Sequence, residues 1–129
     1  MSFAKSLSVK AELEKQVNKV ARAATFFIDQ NLVWQTPVDV GEARGSWQVS
    51  ASAPITTDND IDDKSGSISI SKAKAFLDYN AKLVYPTFYI RSNKPYMERL
   101  NDGYSEQAPA GFTEAAIIRG LNATKSITL

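Results

Sequence analysis

Apolar residues recur at helical spacing along the first quarter of the chain. With Lys15 set at 0° and about 100° per residue, Val9, Leu13, Val17, Val20, Ala24, Phe27 and Ile28 fall between about 120° and 220°. This predicts one long helix over residues 8–34, capped by Ser8 with Glu12 nearby, its apolar stripe packed in the core. The opposite face carries Lys15, Lys19 and Arg22, with Phe26 among them. A basic stripe is ordinarily a solvated face, but an aromatic within it makes Phe26 a candidate partner contact. Pro37 closes the helix, because the residue before a proline is pushed out of α space.

Thr36–Gly45 then reads as a loop with Gly41 and Gly45 as its flexible points, held by local ion pairs and caps among Asp39, Glu42 and Arg44. From Trp47 to Ala53 apolar and polar residues alternate, which is the period of a half-buried strand anchored by Trp47 and stopped by Pro54. Residues 56–67 are polar and predict an exposed loop. Its run of Asp58, Asp60, Asp62 and Asp63 resembles a calcium loop only in part. Asp63 stands where that loop needs Gly, and Ser69 where it needs Glu, so a solvated acidic loop is expected.

Ile68 and Ile70 suggest a short strand or the lead-in to a helix over 72–84 that Pro86 ends. Thr87–Arg91 is β-prone and is expected to pair antiparallel with residues 46–53. A short turn over Pro95–Leu100 ends at Asn101-Asp102-Gly103, and a last helix begins at Thr113 and Glu114, weakened by Gly120. The expected fold is α+β: a long N-terminal helix and further helices packed on a small antiparallel sheet. One domain spans 1–129, with residues 1–7 and 127–129 as mobile ends.

Composition narrows the chemistry. The 129 residues contain no Cys and no His, which removes thiol catalysis, the commonest general base and the commonest transition-metal ligand. A net charge of +1 gives no global attraction to nucleic acid. No run reaches the length of a membrane span, and the opening residues lack a signal-peptide pattern, which predicts a chain made and used in a cytoplasm or packed into an assembly built there. The phosphate-loop pattern is missing around Gly41 and Gly45. The expectation is a binding protein with no cofactor, not an enzyme. The rival readings are a small carboxylate-dependent hydrolase acting through Asp39 and Glu42, and a nucleic-acid-binding module that would use the basic face of the first helix.

Two segments carry a resemblance. TPVDVGEARGSW (Thr36–Trp47) followed by YIRSNKPYMERLNDGYSEQAPAGF (Tyr89–Phe112) is similar to the tail-completion, or minor tail component, family of long-tailed bacteriophages. Thr36, Pro37, Val38, Asp39, Gly41, Ala43, Gly45, Ser46 and Trp47 fit its first motif. Asn93, Pro95, Tyr96, Leu100, Gly103, Ser105, Gln107, Ala108, Pro109 and Gly111 fit its second, while Val40, Met97 and Asp102 depart from the pattern. The resemblance implies a structural virion protein at the tail end or head–tail neck, assembled in the host cytoplasm. It implies a hexameric ring of copies around the DNA channel, in contact with neck and tail proteins such as a tail terminator or head–tail connector. On that reading Phe26, Tyr96, Arg99, Tyr104 and Gln107 are interface candidates, and Lys15, Lys19 and Arg22 are candidate channel charges for non-specific contact with genomic DNA.

Overall fold

A computed structural model describes residues 3–37, 41–103 and 110–127. Helix α1 (Phe3–Gln35) is followed by a single turn α2 (Glu42–Gly45), strand β1 (Gln48–Ala51), helix α3 (Ser67–Tyr79), strand β2 (Phe88–Arg91), a short α4 (Met97–Asn101) and helix α5 (Phe112–Thr124). The α+β architecture is the expected one, and β1 pairs antiparallel with β2, Gln48 opposite Arg91 and Ala51 opposite Phe88. The long helix begins at Phe3, ahead of the expected Ser8. At about 1.5 Å per residue it runs for roughly 50 Å.

The expected apolar stripe of α1 is packed in part, with Val17, Val20, Ala24, Phe27 and Ile28 half-buried. Val9 and Leu13 are exposed, and the buried stripe is Asn18, Thr25, Asp29, Leu32, Val33 and Thr36. The helix is packed on two sides: α5 lies against the Ile28 side, while α3 and the sheet cover the polar stripe. Polar residues are tolerated there because most find partners. Thr25 Oγ1 donates to the Ala21 carbonyl and Thr36 Oγ1 to the Leu32 carbonyl. Asn18 Nδ2 reaches across to the carbonyls of Leu83 (2.8 Å) and Asn80 (3.2 Å), pinning the segment that leaves α3.

Gly120, expected only to weaken α5, is the point of closest helix approach. A Cβ there would lie 2.5 Å from Ile28 Cγ1 and 2.7 Å from its backbone, so the missing side chain is what lets α5 seat on α1.

Helix α3 starts at Ser67 and ends at Tyr79, earlier at both ends than the expected 72–84. Its start is set by Asp63, whose Oδ2 accepts from the Ser69 amide at 2.7 Å, a tertiary cap that apolar spacing does not reveal. The loop before it is not simply solvated: Asp63 and Gly66 are buried, and Ile55 and Ile61 are half-buried. In β1 the most buried residue is Ser50, whose hydroxyl turns back to the Ala53 carbonyl. The expected burial of Val49 over its serine neighbours is reversed there.

Candidate functional site

The two motif segments fold into one interlocked joint. In the first, Arg44 spreads its guanidinium over the end of α1, donating from Nε to the Thr36 carbonyl (3.0 Å) and from Nη2 to that of Trp34 (3.1 Å). Its Nη1 donates to the Lys64 carbonyl at 2.7 Å. A cation at a helix C-terminus meets orphan carbonyls and the negative end of the macrodipole, so Arg44 caps α1, in line with the expected caps of this loop. Trp47 Nε1 donates to Thr36 Oγ1 at 2.8 Å, tying β1 to the same helix end. At Gly45 a Cβ would collide with the Ile61 carbonyl, which explains the small residue.

The second segment closes over the first. Ala43, Met97 and Phe112 form a buried cluster, with Trp47, Tyr96 and Leu100 packed against it. Ser46 and Ser92 hydroxyls meet at 2.7 Å. Asn93 Nδ2 donates to the carbonyls of Ile55 (2.9 Å) and Thr57 (3.1 Å), drawing the 54–66 loop onto the joint. Asn101 accepts at Oδ1 from the Thr113 amide (3.0 Å) and from the Thr113 hydroxyl (2.7 Å), capping α5 from outside that helix. The Glu114 carboxyl, held by its own backbone amide and by the side chains of Asn101 and Thr113, sits below the usual carboxylate range.

At the centre is Lys94, which the sequence reading did not single out. Its side chain is 3% exposed, and Nζ lies 2.8 Å from Glu42 Oε1, 2.8 Å from Asp58 Oδ2 and 3.5 Å from Asp60 Oδ1. Hydrogen bonds to Asp58 and Glu42 hold the ammonium charged and raise its pKa above the ordinary lysine value, against the opposing effect of burial. Burial, with the Glu42 charge next, pushes up the Tyr96 phenol nearby. The acidic run therefore encloses an ammonium through Asp58 and Asp60 and caps a helix through Asp63. A Lys in an N-K-P context at the end of a strand, downstream of an acidic loop, was the available signal. It needed the fold to bring residues 42, 58 and 94 together.

Among the described residues, the interface candidates Phe26, Tyr96 and Arg99 do not gather at one place. Tyr96 is half-buried on the Met97 cluster, Arg99 is exposed on α4, and Tyr104 and Gln107 lie outside the described residues. Phe26 is half-buried, its ring tilted 60° against that of Phe27 at 5.9 Å, and it lines a groove between α1 and α3. Of the candidate channel charges, Lys15 is exposed. Arg22 donates from Nε to Asn18 Oδ1 at 2.6 Å and reaches Asp78 at 3.9 Å, so it is engaged within the chain. For the carboxylate-enzyme alternative, Glu42 is committed to Lys94, and Asp39 lies outside the described residues.

Comparisons with protein-family models, with curated proteins and with solved structures find no match to this chain. Among the described residues no helix is long and apolar enough to cross a membrane.

Proposed function

We propose that this chain is a structural virion protein of the tail-completion type, acting by ring assembly and protein–protein contact to finish a phage tail and help join it to the DNA-filled head. One observation carries the reading. The two segments that resemble the family, separated by more than forty residues, converge on the Ala43–Met97–Phe112 cluster and the Lys94 ion group. Of the residues that fit the motifs, Ala43 lies in that cluster, Trp47, Tyr96 and Leu100 pack against it, and Ser46 ties the two segments through Ser92, which supports the reading. Most motif residues are then the frame, and assembly falls to the surfaces the frame holds out.

Those surfaces are apolar enough for the task. Val9, Leu13, Ile118 and Leu121 are exposed on α1 and α5, and Tyr79, Val84 and Tyr85 around the end of α3 and the segment into β2. Tyr85 is held at φ 45°, a conformation costly for a bulky residue, and strain of that kind concentrates at functional segments.

The test is electron microscopy of particles made without this chain. DNA-filled heads beside unattached or defective tails are expected. Normal infectious particles without it would remove the assembly role.

A further inference from the structure

Helix α3 separates two surfaces of opposite charge. On one side Ser69, Lys72, Ala73 and Phe76 face the 55–61 loop, which carries the Lys94 cluster. Glu42, Asp58, Asp60 and the exposed Asp62 outnumber Lys94 and Lys72 at that end, which leaves it net negative. On the other side Lys74, Leu77 and Asp78 join Lys19, Arg22, Phe26 and Phe27 of α1 around a groove of about 400 Å³. The two sets of α3 residues are centred roughly 140° apart around the helix axis, so the surfaces point in different directions.

The groove has an aromatic floor and a cationic rim. Among the described residues lining it, the acid is Asp78, which lies 3.0 Å from Lys74 and 3.9 Å from Arg22. Lys74 and Asp78 are more than half exposed, and a pair of that kind contributes little, so an incoming carboxylate can replace it. At the acidic end the Asp60 side chain is 98% exposed and makes the longest of the three contacts to Lys94, so it is the carboxylate most available to a partner.

We infer that the α1–α3 groove receives the acidic 58–62 loop of a second copy of this chain. The contact joins unlike patches, so it is head-to-tail and propagates until rotation closes it. The inference rests on the self-association in the proposed function and names the surfaces that carry it. It accounts for the place of Phe26 among Lys19, Arg22 and Lys74: the ring supplies dry contact area and the charges supply register.

Sedimentation of the purified full-length chain separates this inference from the virion role, because no phage component is present. Association is expected at about 50 mM salt and is expected to weaken at about 500 mM, where charges on exposed groups are screened within a few ångströms. Asp60→Lys with Asp62→Lys on the acidic end, and Lys19→Glu with Lys74→Glu in the groove, are each expected to weaken association about tenfold or more. Asp60→Asn is the companion variant that removes charge without placing a second cation beside Lys94. Mixing the two reversed proteins restores association, since each keeps one wild-type patch for the other. Three results would overturn the inference: a wild-type monomer at all salt concentrations, reversed variants that associate as wild type, or a mixture that stays monomeric. Duplex DNA retained by wild type and released by the groove variant, with no self-association, would assign the groove to nucleic acid instead. If particles lacking the chain are defective while the purified chain stays monomeric, the virion role stands and this contact falls.

Discussion

Lys94 Nζ and Glu42 Oε1 lie 2.8 Å apart, and through that contact the second motif segment is fastened to the first. The lysine stem is buried while its carboxylate partners face water, so the pair is desolvated on one side only. That geometry places it between a surface pair, worth little, and a fully buried pair, costly to break.

Lys94→Met keeps the buried stem and removes the charge, leaving Glu42, Asp58 and Asp60 to repel one another. The expected loss is about 2 kcal/mol, below the range for a fully buried pair because the carboxylates remain hydrated. Thermal unfolding reads it as a lower Tm. The wild-type contribution has a defined pH window. The folded pKa is raised above the unfolded 10.5, so the contribution is complete at neutral pH and is lost only as pH climbs beyond the ordinary lysine value.

Asp29 is 1% exposed, and both its carboxylate oxygens lack a hydrogen-bond partner. Burial raises its pKa from 3.8 to about 7. The folded state therefore holds a proton that the unfolded state has released, and stability falls as pH rises from about 4 to about 7 and stays at the lower value above that. The cost of charging this side chain is on the order of 4 kcal/mol. Asp29→Asn removes the titration. The stability difference, variant minus wild type, is expected to be more positive at pH 8 than at pH 4 by up to this amount. Urea unfolding of both proteins at the two pH values checks it; a difference independent of pH would contradict it.

Gly120→Ala tests helix seating against helix propensity. Alanine favours an isolated helix by about 1 kcal/mol, so a solvent-facing glycine would be improved by the change. Here the added methyl meets Ile28 backbone and side chain, and a net loss of about 2 kcal/mol is expected from overpacking. Combining it with Ile28→Ala relieves the side-chain part of the clash but not the backbone part. Denaturant midpoints of Gly120→Ala, of Ile28→Ala alone and of the double variant separate the two contributions.

Asn101→Ala removes the cap that receives the Thr113 amide and hydroxyl. A loss of about 1 kcal/mol is expected, the usual value of an N-cap. Hydrogen exchange should show it first at the start of α5. Asn101→Asp keeps the acceptor for Thr113 but sets a carboxylate where Nδ2 donates to Glu114 Oε1 at 3.1 Å, so it is expected to recover only part of the loss.

The sequence by itself determined the local elements whose causes are local. A helical apolar period and Pro37 gave α1 and its stop, alternation gave the paired strands, and the missing Cys and His removed much of catalytic chemistry. The two motif segments were also readable as strings. Tertiary structure decided which face of α1 is buried, because α5, α3 and the sheet compete for it. Polar Asn18 and Thr36 are accepted inside once carbonyls and an indole N–H reach them. It also decided that Arg44 caps a helix, that Gly120 admits a neighbouring helix, and that Lys94 draws in carboxylates from distant positions. Periodicity reports how a residue sits on its own element, whereas burial, capping and ion pairing depend on what other elements bring to it.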